Sequence, residues 1–457
     1  MDVNRRNLLN ASASAAAAAG ALAAAPASAT AAPLMSALGR DATQFGVRPG
    51  SPDDQTAALQ RAINEAARAK TPLALPPGVY RTRALQLPAN AQLVGVRGAT
   101  KFEFGGGASL FASDNAANIS LTGLVLDGSV ISLGSRRGLV HCERSRDVRI
   151  VDCEIVNSGA NAIWFEQVSG DVRNTIFRNI VSTALVSFDA QGLLVAQNTI
   201  LGTRNNGIEI LRHQAGDDGT LVIDNRIEDI VAGPGGTGQH GNAINAFRAA
   251  NVIVRGNRIR NCEFSGVRGN SASNIQITGN SMTNMREVAI YSEFAFEGAV
   301  IANNTVDICA IGAVACNYNE GGRIAVVQGN IFRNMLTKRP APSQAGDGAG
   351  IGIAVEADAA VTGNVIENAP SYGIIAGWGR YLRDVAITGN VVRNADVGIG
   401  VSVTPGAGNV LVNDNVISSA QNGAVVGFDH HKRITGDLTQ QGAAKFAQVS
   451  IGSNLVR

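Results

Sequence analysis

The chain has 457 residues, of which 45% are hydrophobic and only 16% are charged. This composition supplies a large apolar core and excludes a disordered chain. The 38 basic and 36 acidic residues give a formal net charge of +2, a balance that argues against a nucleic-acid partner. The five cysteines have no metal-ligand spacing, which argues against a zinc module and against a disulfide framework.

Residues 1–31 are predicted to be an export signal rather than part of the fold. Arg5 and Arg6 precede Leu8 and Leu9, and the alanine-rich stretch that follows ends in two A-x-A sites. The pattern resembles a twin-arginine signal, which implies contact with the export machinery and a periplasmic or secreted protein. The alternative is an alanine-rich tail with a chance arginine pair. No other stretch is apolar and long enough to span a bilayer, so no membrane span is expected in the mature chain.

Residues 44–100 are predicted to form an N-terminal cap. Ser51 and Pro52 fit the start of an amphipathic helix. Its apolar stripe at helical spacing consists of Leu59, Ala62, Ile63, Ala66 and Ala67. This helix, with the extended LPPGVY that follows it, resembles the start of pectate-lyase-superfamily β-helix proteins. The resemblance implies a helix that covers the open first coil, whose backbone groups would otherwise pair with another chain.

Residues 101–457 are predicted to form the repeats of a solenoid. A unit of the form V-x-I-x-x-N-x-I recurs at intervals of 23 to 39 residues, as in VIVRGNRI and VAITGNVV. Its aligned asparagines are Asn174, Asn198, Asn225, Asn257, Asn280, Asn304, Asn330, Asn364, Asn390, Asn415 and Asn454, with Cys153 in the same position one coil earlier. Short alternating strands at this period indicate stacked parallel coils, with the asparagines in an inward ladder.

The fold class predicted is therefore all-β. The repeats resemble right-handed parallel β-helix proteins of the pectin-lyase-like superfamily, and with the signal they also resemble the twin-arginine-translocated repeat proteins. The first resemblance implies a right-handed solenoid with a short capping helix. It also implies that sugar chains bind along one outer face.

The most informative outer face is that of the strand that follows each asparagine by about nine residues. One outward position of this strand holds Trp164, Glu209, Asn245, Arg268, Tyr291 and, further along, Ala315. Two residues on, the outward position holds Glu166, Asn270, Glu293, Asn317 and Glu356. The later coils have mostly small apolar residues there. Insertions at 231–241 and 336–350 lie four coils apart, about 19 Å, and are predicted to wall a cleft around Arg268.

These residue types suggest chemistry on an acidic sugar. A β-eliminating lyase needs a group that removes the proton α to a uronate carboxylate, and a cation that neutralises this carboxylate. We predict Arg268 and Tyr291 as catalytic residues, with Glu209 orienting Arg268 through Asn245 or water. Trp164, Glu166, Asn245, Asn270, Glu293 and Asn317 are predicted to bind substrate. An inverting hydrolase is disfavoured, because it needs carboxylates about 6.5–9.5 Å apart and Glu209 and Glu293 lie three coils apart, nearer 14 Å.

The sequence thus predicts an exported protein that acts on or binds polysaccharide, with an acidic polysaccharide as partner and uronate lysis as the first hypothesis. Two alternatives stay open: a non-catalytic glycan-binding or envelope scaffold, and a cofactor-binding exported protein. No metal ligands are predicted and the cofactor is unknown. The G-x-G-x-x-G at 233–238 is interpreted as a flexible turn. His213 and His240 are interpreted as loop histidines near the cleft, and the Asp429-His430-His431 run as a surface loop far from the patch.

Overall fold

The computed structural model describes residues 38–134, 136–341 and 347–457. Within these ranges the chain winds into stacked parallel coils, so the prediction of a right-handed parallel β-helix with a capping helix is confirmed. The predicted export signal with Arg5 and Arg6 lies outside the described residues and stays a prediction. No helix in the described ranges has the length and apolar character that crossing a membrane requires.

Two long sheets run along the solenoid. In the described part of the chain, the first sheet contains Arg40–Asp41, Leu73–Ala74, Gln92–Val94, Ala117–Thr122, Arg146–Val151, Gly170–Arg173, Leu194–Ala196, Leu221–Ile223, Ile253–Arg255, Ile275–Thr278, Glu297–Ala302, Arg323–Gln328, Ala357–Thr362, Arg383–Thr388, Val410–Asn413 and Val449–Ile451. Each of these strands pairs in parallel with the strand one coil before it, so the sheet order follows the chain order.

The second sheet receives two strands from most coils, an early strand just after the asparagine turn and a late strand after it. It contains Gly78–Thr82, Leu85–Gln86, Thr100–Phe104, Phe111–Asp114, Val125–Asp127, Gly138–Glu143, Glu154–Val156, Asn161–Glu166, Ile176–Ile180, Leu185–Phe188, Thr199–Thr203, Ile208–Asp217, Arg226–Ile230, Ile244–Ala250, Arg258–Cys262, Val267–Asn270, Ser281–Glu293, Thr305–Ala315, Ile331–Met335, Ile351–Val355, Val365–Ala376, Val391–Ser402, Val416–Ala420, Val425–Asp429, Lys432–Asp437 and Leu455–Val456. Early and late strands are continuous in some coils, as in Ser281–Glu293. The hairpin of Val425–Asp429 with Lys432–Asp437 is antiparallel.

The asparagines form the inward ladder that the repeat predicts. From Asn198 to Asn415, the backbone N–H and the side-chain Nδ2 of each asparagine donate to Oδ1 of the next one at 2.9–3.0 Å. Each Nδ2 also donates to a backbone carbonyl of the coil before, as Asn280 does to Val254 at 3.1 Å. These side chains are buried, so the ladder provides hydrogen-bond partners for backbone N–H and carbonyl groups of the turns that water cannot reach.

In the coil before Asn198, the inward ladder position is occupied by Thr175 and not by the predicted Asn174. Asn174 is exposed and has a left-handed backbone (φ 51°), and the neighbouring Thr175 occupies the inward position. The backbone N–H of Thr175 donates to Oδ1 of Asn198 at 3.0 Å, and Cys153 lies in the equivalent position one coil earlier. The asparagine at 174 was misassigned because the sequence offers an asparagine on the outer side of the same turn, where the left-handed conformation favours it.

The capping helix covers the first coil as predicted, but it begins differently. It runs Thr56–Arg68 and buries the stripe of Leu59, Ala62, Ile63, Ala66 and Ala67. Asp54, not Ser51, accepts the backbone N–H of Thr56, and the backbone N–H of Gln55 donates to the carbonyl of Arg81. The side-chain amide of Gln60 donates to the backbone carbonyl of Gln86 and accepts its N–H, at 2.9 and 2.8 Å. The helix therefore satisfies part of the strand edge that would otherwise be open.

Candidate functional site

The outer face of the late strands has the stacked order predicted from the sequence. Trp164, Val186, Glu209, Asn245, Arg268 and Tyr291 pair in register on consecutive coils. Glu166, Phe188, Leu211, Phe247, Asn270 and Glu293 form the neighbouring column. The predicted patch is thus one continuous surface, and its geometric arrangement is confirmed as far as Tyr291.

In the one coil after Tyr291 the predicted alignment is wrong by one residue, and from Ala354 and Glu356 onward it is right again. Val314, not Ala315, pairs with Tyr291, and Cys316, not Asn317, follows Glu293 in the second column. The cause is one extra residue in Ser281–Glu293, where the register shifts between Met285 and Val288. Asn317 instead lies in the turn with φ 68°, and its Oδ1 accepts the backbone N–H of Phe294.

Arg268 lies in a buried network of charges rather than at the open centre of a cleft. Its Nε and Nη2 donate to the two carboxylate oxygens of Glu293 at 2.6 and 3.0 Å, and Nη1 lies 3.5 Å from Glu287. Arg339, from the second insertion, approaches the other oxygen of Glu287 at 3.4 Å. Only 12% of the Arg268 side chain and 3% of Glu293 are exposed. Burial opposes the charge of Arg268, but the two carboxylates raise its pKa above the ordinary value.

The first insertion covers this network. Gly238 has φ 128°, and a Cβ atom there would meet Nη1 of Arg268 at 1.9 Å, so only glycine allows the loop to lie so close. Glu209 accepts a hydrogen bond from the Asn206 amide, which also donates to the backbone carbonyl of Gln239 in the insertion. Burial raises the pKa of Glu209. Glu209 therefore supports the insertion that covers Arg268, through Asn206 rather than through the predicted Asn245 or water.

The open cavity lies further along the same face, over the coils that seemed featureless in the sequence. Its volume is about 430 Å³, within the range of small-molecule sites. The floor is built from three outward columns of the late strands. They are Ile311, Ile351 and Tyr372; Tyr291, Val314, Ala354 and Ile375; and Cys316, Glu356 and Gly377. Small and apolar side chains in these positions leave room above the strands.

Two walls close the cavity. One is the second insertion, which contributes Arg339 and 347–349 and is fixed by the Ser371 hydroxyl, which donates to the carbonyl of Ala349 at 2.7 Å. The other wall contains Trp378, His430 and His431, whose rings pack edge to face. The histidine run, which was predicted to be a surface loop far from the patch, borders this cavity, because its hairpin folds back onto the turn that carries Trp378.

Glu356 is the acidic group on the cavity floor. Burial raises the pKa of Glu356 to about 7, although the backbone N–H of Tyr318 donates to its carboxylate at 2.7 Å. Burial also raises the pKa values of Tyr291 and Cys316 well above their ordinary values. His430 is held by Asp429, with 2.7 Å between its Nδ1 and the carboxylate. Among the described residues, no group of three or more histidine, cysteine or acidic side chains is placed to hold a metal ion.

The remaining predicted residues lie outside this cavity. Trp164 is 6% exposed and stacks on Phe188, and Glu166 and Asn245 are half-buried on their strands. Asn270 donates to Glu293 at 3.2 Å and so belongs to the charge network. Of the predicted catalytic residues, only Tyr291 borders the cavity. The sequence signal that could have located the cavity was Glu356, an isolated acidic residue among apolar coils.

Comparison with known proteins agrees on the fold. A family model described as the right handed beta helix region matches residues 213–383. The A-module of the mannuronan C-5 epimerase AlgE6 of Azotobacter vinelandii superposes with a TM-score of 0.51 at 15% identity, covering 85% of this chain and 99% of that one. Among curated proteins, none matches the sequence.

Two further structures share the coil architecture more loosely. The catalytic unit of a GH87 α-1,3-glucanase from Streptomyces thermodiastaticus has a TM-score of 0.49 at 16% identity, covering 91% of this chain and 68% of that one. An exopolygalacturonase from Thermotoga maritima has a TM-score of 0.41 at 12% identity, covering 91% of each chain. The family model and the epimerase A-module, at 15% identity, show the fold, a right-handed parallel β-helix, and say nothing of the residues in the cavity.

Proposed function

We propose that this chain is an exported carbohydrate-active protein that binds an acidic saccharide in the cavity between Arg339 and Trp378. The observation that carries the proposal is a carboxyl group of raised pKa on an apolar floor, Glu356, with an aromatic wall and a basic wall on either side. Trp378 and Tyr372 offer flat apolar surfaces for the C–H faces of a sugar ring. Arg339 offers a guanidinium group for a carboxylate.

The proposed reaction begins with transfer of a proton from the substrate to Glu356. A group with a pKa of about 7 is half ionised at neutral pH and can therefore both accept and return a proton. The carbon α to a uronate carboxylate loses its proton to the Glu356 carboxylate, and Arg339 stabilises the charge that moves onto the substrate carboxylate. Departure of the oxygen substituent from the adjacent carbon, which takes up a proton from water, gives an unsaturated sugar and a free hydroxyl group. Delivery of a proton from water to the opposite face of the carbon that lost its proton gives the epimer instead, and Glu356 then releases its proton to solvent.

The fold supports a saccharide as substrate, since the epimerase A-module that superposes on this chain is named for mannuronan. Tyr291 borders the same cavity and is proposed to contact the substrate there. Arg268 and Glu209 act at a distance in this proposal, since Arg268 orders Glu293 and Glu287, and Glu287 in turn holds Arg339.

The test is turnover of polyuronates by the mature protein and by Glu356→Gln. Polymannuronate, polyguluronate and polygalacturonate are incubated in deuterated buffer. Elimination is followed by absorbance of the unsaturated product, and epimerisation by deuterium incorporation. Glu356→Gln keeps the size of the side chain but cannot exchange the proton, so we expect a loss of at least about 100-fold.

Glu367→Gln is the matched control, because this exposed glutamate pairs only weakly with Arg393 at 3.4 Å and should keep full activity. Equal activity of the Glu356 variant would remove this residue from the mechanism. Saccharide binding without any turnover would favour the glycan-binding alternative.

A further inference from the structure

The cavity between Arg339 and Trp378 extends over a short part of the solenoid. On the central column its floor begins at Tyr291 and ends at Ile375, three coils or about 14 Å further along. A saccharide chain that followed the solenoid would have to leave this floor at both ends. The coils before Tyr291 and after Ile375 therefore decide whether the interior of a chain can bind.

The end of the floor at Tyr291 is closed by the charge network and the two insertions. Arg268, one coil earlier, lies beneath the first insertion, where Gly238 is too close to Nη1 of Arg268 to carry a side chain. The guanidinium group of Arg268 lies 5.0 Å from the centre of the Tyr291 ring and fills the space between the two coils. Arg339, from the second insertion, approaches Glu287, which also pairs with Arg268. Glu287 thus joins the residues beneath both insertions, and the floor is blocked on this side.

Aromatic rings close the opposite end of the floor. The rings of Tyr372 and Phe428 pack edge to face, with centres 5.0 Å apart, across the coil of Gly400. A Cβ atom at Gly400 would lie 3.1 Å from the Tyr372 ring and 3.4 Å from the Phe428 ring, so the rings occupy the space above this coil. Val397 and Val426 pack into the same cluster, and neither of these two residues borders the cavity.

The two remaining sides are the walls of the cavity. On one side, Nε of Arg339 donates to the carbonyl of Gly348 at 2.7 Å, which fixes the end of the second insertion. On the other side, the rings of His430 and His431 lie 5.2 and 4.5 Å from that of Trp378. With two closed ends and two walls, the cavity opens in one direction, away from the strands.

We propose that the cavity takes the end of an acidic saccharide chain and not its interior. The inference rests on the proposed function, since it specifies which part of the saccharide reaches Glu356. A sugar residue inside a chain has two neighbours, which must leave a site in two directions, whereas this cavity offers one. A terminal residue has one neighbour, which can point away from the strands. The volume of about 430 Å³ suits such a compact ligand.

The test is calorimetric binding of uronate saccharides to the mature protein and to Glu356→Gln, which we expect not to turn them over. Trimers and long polymers of mannuronate, guluronate and galacturonate are compared at equal concentrations of chains. We expect one protein molecule per chain at either length, with affinities per chain that agree within about twofold. A protein that binds the interior of a chain would place several molecules on each polymer.

Two modified trimers identify the end that binds. One is reduced to an alditol at its reducing end, and the other carries an unsaturated residue at its non-reducing end. A site that encloses one end should reject a change at that end and tolerate a change at the other. We therefore expect one of the two modifications to weaken binding at least about tenfold, because polar groups of the site lose their partners.

Two further variants, made in the Glu356→Gln protein, show that the end binds in this cavity. Arg339→Gln removes the guanidinium group that faces the saccharide carboxylate, and it should weaken trimer binding at least about tenfold. Arg393→Gln is the matched control, since Arg393 is 68% exposed on an early strand, and it should bind as its parent does. Thermal unfolding checks that each variant folds, and the modified trimers decide the question if Arg339→Gln does not.

The outcomes separate this inference from the proposed function. If neither the mature protein nor Glu356→Gln binds any uronate, the proposed function fails and the inference with it. If several protein molecules bind each polymer, or if both modified trimers bind as the unmodified one does, the proposed function stands and the inference is overturned. Unchanged affinity of folded Arg339→Gln would also overturn it, because the chain end would then bind elsewhere.

Discussion

The outer face of the late strands has a polar and aromatic part and an apolar part. The polar part is covered, whereas the apolar part is open. From Trp164 to Arg268 the outward positions are rich in polar and aromatic residues, whereas from Val314 to Ile375 they are small and apolar. Yet Arg268 is covered by an insertion, and the open cavity lies above the apolar coils. Charged side chains one coil apart pair with each other and fill the surface, while small side chains leave space that loops can enclose.

A dense row of polar residues on a solenoid is therefore no guide to an open site. Arg268 and Glu293 neutralise each other at 2.6 Å, and the arginine that borders the cavity, Arg339, comes from a loop rather than a strand. The contrast between the paired part and the open part can be tested by three measurements of stability.

The largest effect is expected at Arg268. Replacing it with alanine leaves Glu293 buried without a cation and Glu287 with Arg339 alone, and the free energy of unfolding should fall by about 3–5 kcal/mol. The sequence alone suggested that Arg268 lies at the centre of a cleft on the outer face. Arg393→Ala is the control, because Arg393 is 68% exposed and its ion pair contributes little. Equal urea midpoints for the two variants would contradict the buried network.

The next effect concerns Glu356 in the open part. Because its folded pKa is about 7, above the ordinary 4.5, the folded state binds the proton more tightly than the unfolded state does. This contribution to stability is fully present below pH 4.5 and is lost as the pH rises through 7. Between pH 5 and 8 the protein should lose about 2–3 kcal/mol more than Glu356→Gln does, as measured by urea unfolding. Parallel pH profiles would show that Glu356 titrates normally.

The smallest effect separates the inside of the coil from its outer face. Asn280→Ala removes three ladder bonds and the bonds to the carbonyls of Val254 and Thr278 from a dry turn, and should cost about 1–3 kcal/mol. Asn270→Ala, on the outer face, loses one amide bond of 3.2 Å to Glu293 and should cost under about 0.5 kcal/mol. The comparison uses urea unfolding, and a larger loss for the Asn270 variant would reverse the assignment of the two faces.

The repeat alone determined the architecture of this protein. Asparagines such as Asn280 recur once per coil, with apolar residues on either side. Because the buried turn of every coil has the same backbone groups to pair, the sequence repeats with the period of the structure. The apolar stripe of the capping helix, which includes Leu59 and Ile63, could also be predicted from the sequence, because a helix that covers a coil must have one apolar face. The stacking from Trp164 to Tyr291 followed from the same period.

Only the tertiary structure decided where the face is open. The extra residue between Met285 and Val288 shifts the alignment by one and puts Cys316 where Asn317 was expected, and nothing in the local pattern marks it. Arg339 and Trp378 reach the cavity from loops outside the repeat, whose paths depend on contacts across several coils. The sequence repeat determines the residues that are equivalent in every coil, whereas the cavity is formed by residues that differ from coil to coil.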